Sequence, residues 1–188
     1  MSLREKAIEY LSRAAADRSP RKYAICALAP IVFFTLVLLA ALGVYYLGEW
    51  LELQEISSPV VPYVAYPLIA IGMAMMVGSV AQFLLSRGTP VPISPPPTLV
   101  TSGLYRLVRN PMFAGLFVFL AGLGLWLGSV TILFIFLPLL ISGVTWEIKA
   151  IEEPELERRF GQMYRSYREC TPMFLPRLDR LFKASNRI

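Results

Sequence analysis

An all-α, polytopic membrane fold is predicted for this chain by three observations. Its 188 residues are 56% hydrophobic and only 16% charged, with a mean hydropathy of +0.57, whereas a soluble domain carries about 45–50% apolar and roughly 25% charged residues. The apolar residues are gathered into four long runs. The lysines and arginines flank those runs and fall on alternate connections. The net charge of +5 and the pI near 9.4 resemble a nucleic-acid signature only until the basic residues are located. They form no stripe with interleaved aromatics, so no nucleic-acid partner is expected.

The four runs cover about Tyr23 to Leu47, Pro62 to Leu85, Pro111 to Leu127 and Ser129 to Trp146. Crossing a hydrocarbon core of about 30 Å takes roughly 20 helical residues, so the first two runs are long enough with some tilt. The last two are near the lower limit. Only Gly128 and Ser129 join them, which predicts a short helical hairpin.

Orientation follows from the basic residues. Six lie before Tyr23, three between the second and third runs (Arg87, Arg106, Arg109) and nine after Trp146, which accounts for all 18. The first connection carries Glu49, Glu52 and Glu55 and no basic residue. With four spans, every basic residue falls on one side, which the positive-inside rule makes cytoplasmic. Both termini are then expected inside. Leu3, Ala7 and Leu11 recur at helical spacing beside Arg and Lys, a pattern that fits an amphipathic helix at the interface as readily as a solvated terminus.

Several chemistries are excluded. There is no histidine, which removes the commonest general base, the commonest zinc ligand and every Ser-His-Asp or Cys-His arrangement. Cys26 and Cys170 are two isolated thiols with no CxxC spacing, so neither a metal site nor a disulfide framework is expected. The charged first 23 residues do not have the form of a cleavable signal peptide. Prolines 30, 67 and 138 sit inside runs. The small pairs Gly124/Gly128 and Ala74/Gly78 point to close helix packing.

Three pieces on the basic side carry more chemistry than a simple span requires. The second connection contains five prolines between positions 90 and 97, which stiffen it into extended conformations. Loops of more than about 12–15 residues in compact domains are usually functional or linkers. It ends in Arg109-Asn110-Pro111, which has the form of a helix start with asparagine as N-cap and proline at N1. Those roles need no ligand, so by themselves they leave the functional question open. Next, Glu152 and Glu153 emerge just beyond the fourth run, before Pro154, which biases Glu153 away from helix. Charged groups at that depth are costly unless paired or useful. Finally, Ile148, Ile151, Leu156, Phe160, Met163 and Tyr167 mark one apolar helical face, interrupted at Gly161. Gln82 is a polar candidate near the cytoplasmic end of the second run.

The strings GTPVPISPPPTLVTSGLYRLVRNPMFAG (88–115) and EEPELERRFGQMYRSYRE (152–169) with LPR (175–177) resemble the integral-membrane methyltransferases that include isoprenylcysteine carboxyl methyltransferases and phospholipid N-methyltransferases. The resemblance covers about Gly88 to Arg177. It implies a helical pocket for S-adenosyl-L-methionine (SAM) at the cytoplasmic face, with no Rossmann-type glycine fingerprint. Three segments are then expected within one structural domain: residues 1–22 at the interface, 23–86 as two transmembrane helices, and 87–188 as cofactor-binding loop, hairpin and C-terminal helices.

By the same resemblance, Val100, Gly103, Tyr105, Arg109, Asn110, Met112, Phe113, Glu152 and Glu153 are the expected cofactor-binding residues, with Arg109 and Glu152 as the catalytic pair. Isoprenylcysteine enzymes typically have histidine where this chain has Asn110, whereas phospholipid-type relatives have asparagine. The expected activity is SAM-dependent methyl transfer to a lipophilic acceptor in the bilayer, a phospholipid amine head group being favoured. Carboxyl methylation of a lipidated cysteine and S-methylation of a small thiol are the alternatives within that class. An NADPH-dependent sterol reductase and a non-catalytic four-helix scaffold are the alternatives outside it.

Overall fold

The computed structural model describes residue 5 and residues 20–53, 56, 58–86 and 97–176. The expected interfacial helix before residue 20, the proline-rich stretch before Pro97 and the tail from Arg177 lie outside the described residues. What is described is all-α. Helix α1 spans Pro20–Trp50 and α2 spans Val61–Leu85. A 3-10 turn at Gly103–Arg106 leads into α3, Pro111–Trp126. Helix α4 covers Ile132–Phe160, and α5 covers Gln162–Cys170.

Among the described residues, three helices are long and apolar enough to cross a membrane: Leu28–Trp50 of α1, Val61–Leu85 and Ile132–Phe160. Their outer surfaces are apolar too, with Leu28, Ile31, Leu36, Leu39, Tyr66, Ile71, Val77, Phe134 and Leu139 exposed, as a lipid-facing surface requires. This is an integral membrane protein. The expectation of four full spans is met only in part. At 1.5 Å per residue, the 16 residues of α3 reach about 24 Å, less than the hydrocarbon thickness. The physical reason is its position. α3 is apolar all round and lies in the middle of the bundle, where Ala114, Leu116, Phe117, Phe119 and Leu120 are all buried. The core gathers Val37 and Ala41 of α1, Met76 of α2, and Leu116, Phe119 and Leu120 of α3, with Phe136, Leu137 and Leu140 of α4 packed against them.

α2 and α3 pack backbone to backbone. A Cβ on Gly72 would lie 2.4 Å from the Phe119 nitrogen and 2.6 Å from the Gly115 oxygen, and one on Gly115 would lie 2.8 Å from the Gly72 oxygen. Only glycine permits such an approach, which replaces a hydrophobic driving force with van der Waals contact. Gly122 extends the seam, since a Cβ there would lie 2.9 Å from the Ala65 oxygen. The small pair that matters is therefore Gly72 with Gly115, not Ala74 with Gly78. Gly124 serves the hairpin instead, where its Cβ position is 2.9 Å from Leu133.

The hairpin turns at Gly128, whose φ of 66° is left-handed and suits glycine. The Ile56 amide donates to the Gly128 carbonyl at 2.8 Å, tying the first connection to this tip. Ser129 then caps α4, its hydroxyl accepting from the Ile132 amide at 3.2 Å.

α4 corrects the expected chain path. It does not end near Trp146, and Glu153 is not displaced from helix: its φ and ψ are −60° and −44°. Two π segments, Ile132–Phe136 and Ile148–Glu152, make this possible. In each, the amide of the next residue bonds five residues back, Leu137 to Ile132 and Glu153 to Ile148. Each π segment ends two residues before a proline, Pro138 or Pro154. The wider turn makes room for a ring that would clash with the carbonyl four residues back in a regular helix.

Candidate functional site

The loop, the start of α3 and the far half of α4 are held together by a small set of bonds. The Gln82 amide donates to the Ser102 carbonyl at 2.6 Å, so this polar residue near the end of α2 anchors the loop. Gly103, with φ of 57°, sits directly on that amide, and a Cβ there would lie 2.6 Å from Gln82 Nε2. Next comes Tyr105, buried, its ring edge-on to Phe83 at 5.1 Å. Its carbonyl accepts from the Tyr167 hydroxyl of α5 at 2.6 Å. The chain after α5 returns to α3: the amides of Arg109 and Asn110 donate to the carbonyls of Pro172 and Met173 at 2.8 and 3.0 Å. Phe174 stacks edge-on to Phe117 at 5.1 Å.

Asn110 occupies the N-cap position of α3 as expected, and its carbonyl accepts the Ala114 amide at 3.0 Å. Its side chain, however, makes no capping bond. It faces a cavity of about 540 Å³, within the usual range for a small-molecule site. Of the residues singled out above, Val100, Tyr105, Arg109, Asn110, Met112, Phe113 and Glu152 line this cavity. Gly103 and Glu153 do not. Gly103 is a turn residue against Gln82, and Glu153 points away to an arginine.

That arginine is Arg109. Its Nη1 donates to Glu153 Oε1 at 2.5 Å and to the Tyr164 hydroxyl at 3.4 Å. Arg168 stands 3.8 Å from the other Glu153 oxygen and bonds Glu157 at 3.1 Å, with Arg165 also on Glu157. The adjacent glutamates thus divide their work, and the π segment explains how. Five residues make little more than one turn there. Glu152 is therefore brought onto the cavity face with Glu147, while Glu153 turns aside to Arg109.

Sequence reasoning did not single out the cavity residues Glu147, Glu155, Arg159 and Tyr164, and it read Ile148, Leu156, Phe160 and Tyr167 only as an apolar helical face. A signal existed. Leu140, Val144, Glu147, Glu152, Glu155 and Arg159 recur every three to five residues along α4, but assuming a break at Glu153 divides the series. Glu155 is only 2% exposed and lies 3.7 Å from Arg159. Its Oε1 has no hydrogen-bond partner, and neither do the buried Nε atoms of Arg109 and Arg159. Buried polar atoms are normally satisfied, and exceptions need an explanation.

The tyrosines around the cavity are held neutral. Burial, reinforced by Glu153 and opposed by Arg109, pushes the Tyr164 hydroxyl up to about 12. Burial raises Tyr105 as well, with the Glu152 charge adding to it, and burial likewise raises Tyr167. All three keep their protons at neutral pH, Tyr167 donating to the Tyr105 carbonyl and Tyr164 accepting from Arg109.

A sequence model of the phospholipid methyltransferase family matches residues 62–163, more than half of the chain. The chain belongs to that family. Its members are SAM-dependent membrane methyltransferases. The chain is also 34% identical over 82 residues to the protein-S-isoprenylcysteine O-methyltransferase of Schizosaccharomyces pombe (strain 972). That match covers 42% of this chain and 33% of the yeast protein, so the chain spans about a third of that relative's length. No solved structure matches. The family match starts in α2 and ends at the start of α5, so it covers the cavity-lining parts of α2, α3 and α4 but neither Phe33 of α1 nor Tyr164 and Tyr167 of α5.

Proposed function

We propose that this member of the phospholipid methyltransferase family binds SAM in the cavity and transfers its methyl group to a lipophilic acceptor. A phospholipid amine head group is the favoured acceptor, and the site faces the cytoplasm, with both termini on that side. The observation that carries the reading is the composition of the cavity wall. Carboxylates and guanidiniums with unpartnered buried atoms occupy one end, and the other is lined by Phe33, Met112, Phe113, Leu139 and Leu140.

The residues fit the cofactor. When bound, SAM supplies a methyl group on a positively charged sulfur. Glu152 serves its ammonium, and the buried Nε atoms of Arg109 and Arg159 supply donors for its carboxylate. Arg109 acts from a position fixed by Glu153. The aromatic side chains of Phe83, Tyr105 and Tyr164 exclude water and offer faces to a cation. Methyl transfer is an in-line displacement, so holding two reactants in line in a water-poor pocket provides most of the acceleration.

Carboxyl methylation of a lipidated cysteine is the second reading, favoured by the similarity to the yeast enzyme. Calorimetric titration of purified protein with SAM tests the shared part. Glu152→Gln should weaken binding by roughly tenfold or more, the loss of one charge-assisted hydrogen bond. Incubation with methyl-labelled SAM and a lipid extract of the host separates the acceptors. Label in an amine head group supports the first reading, and label released by mild base supports the second. Absence of SAM binding by the wild-type chain would overturn both.

A further inference from the structure

The charges on the cavity wall do not balance, and the excess lies at two depths. Glu155 faces Arg159, and Arg109 is held by Glu153 from outside the lining. Among the described residues no salt bridge reaches Glu152 or Glu147. Glu152 lies among the polar groups, close enough to Tyr105 and Arg109 to influence both electrostatically. Glu147 is nearer the other end. From Ile132 to Trp146 α4 has no charged residue, so Glu147 is the first carboxylate met along α4 from the apolar side. Beyond it the helix presents Val144, Gly143, Leu140 and Leu139 to the cavity, and the facing residues are Phe33, Met112 and Phe113.

Space is available beside Glu147. Gly143 lies one helical turn away on the same face and lines the cavity; it is exposed, and a Cβ there would meet nothing within 4 Å, so the cavity is open at this point. A small polar head group fits that gap while its tails lie along the apolar lining. Glu155 Oε1 is almost completely buried and makes no hydrogen bond, its Arg159 contact at 3.7 Å being too long for one, which leaves it free to accept from a donor that a ligand brings into the cavity.

We propose that Glu147 selects the acceptor: its carboxylate binds the ammonium of an amine-bearing amphiphile and takes the proton that the nitrogen must lose before methylation. This rests on the methyltransferase reading of the same cavity and decides between its two acceptors. An ammonium offers three donors to a carboxylate that has none. An ionised carboxylate acceptor would instead be set against a like charge, which disfavours it. In the step itself, the ammonium N–H gives its proton to the Glu147 carboxylate and leaves a lone pair on nitrogen. The new N–C bond forms as the C–S bond breaks, the electron pair stays with sulfur and the positive charge passes to nitrogen. The proton held by Glu147 then leaves to water through the cavity.

The test uses the full chain in a neutral maltoside detergent, titrated separately with octylammonium, octanoate and SAM. Wild type should bind octylammonium more tightly than octanoate. Glu147→Gln should weaken octylammonium by about tenfold or more and lose that preference, while Glu147→Asp keeps it. Gly143→Leu should weaken both amphiphiles by filling the gap. SAM affinity should be unchanged in Glu147→Gln, which also shows that the variant is folded. With an amine acceptor, Glu147→Gln should turn over more slowly than wild type near neutral pH and recover as pH rises towards the amine's own pKa, because its ammonium must then lose the proton to water. If Glu147→Gln binds SAM and octylammonium as wild type does, Glu147 is not the selector although the methyltransferase reading stands. If wild type binds no SAM, that reading fails instead.

Discussion

Replacing Arg109 by methionine tests the division of labour between the adjacent glutamates. Arg109 and Glu153 side chains are each 12% exposed and lie 2.5 Å apart, so this is a pair largely removed from water. Removing one partner of such a pair costs about 3–5 kcal/mol, because the other charge is left buried. Here the loss is reduced, since Arg168 remains 3.8 Å from Glu153 and is itself 38% exposed. A cost of roughly 2–3 kcal/mol is expected, which at about 2–4 °C per kcal/mol lowers the melting temperature by about 4–12 °C. Replacing both partners, Arg109→Met with Glu153→Leu, should restore most of it, because well-packed apolar groups often match a buried ion pair in stability. The assay is a double-mutant cycle on thermal unfolding in detergent, with calorimetric SAM titration of each variant. SAM binding should stay weak in the double variant even where stability returns. If Arg109→Met shifts the melting temperature by less than 2 °C, or if the two replacements simply add, Glu153 is not what holds Arg109.

Two further outcomes are expected. Gly72→Ala places a Cβ 2.4 Å from the Phe119 backbone nitrogen; backbone cannot swing aside as a side chain does, so overpacking of about 1–3 kcal/mol or more should appear as a lower unfolding temperature in detergent, with Ala74→Leu on the exposed face nearly neutral by comparison. The Tyr164 hydroxyl is raised from 10.0 to about 12 by burial; its contribution to stability is therefore complete below pH 10 and is lost as pH rises from 10 to 12. Tyr164→Phe should flatten that part of the stability profile, and an unchanged profile would show that the hydroxyl is not shielded from solvent.

Hydrophobic runs alone located the first three helices to within a few residues, since hydropathy is a local property, but ended the fourth near Trp146 although it continues to Phe160. The second run, from Pro62 to Leu85, coincides with a helix at Val61–Leu85. The Asn110 position was legible as a helix start because proline at the next residue restricts the backbone. What Asn110 does with its side chain was not, because capping and facing a cavity have the same sequence signature. Pro154 misled for a related reason. A proline predicts a break when the preceding helix is regular, but a π turn removes the clash, and no residue type announces a π turn. The consequence reaches the site: a change of direction at Glu153 would separate Glu155 and Arg159 from Leu140 and Glu147, which share one continuous helix and one cavity.

Composition, hydropathy and motif spacing were enough by themselves to determine that this chain belongs in a membrane, is helical, and resembles the membrane methyltransferases, because each is set by local chemistry summed along the chain. The roles of Glu152 and Glu153 were decided only by tertiary structure. Two identical neighbouring side chains differ in nothing but direction, and direction is set by the π turn of α4 and by the arginine that α3 presents. The same holds for Glu147. Its sequence position marks it as one glutamate at the edge of an apolar run, and only the packing of α1, α3 and α4 around it turns that glutamate toward a cavity.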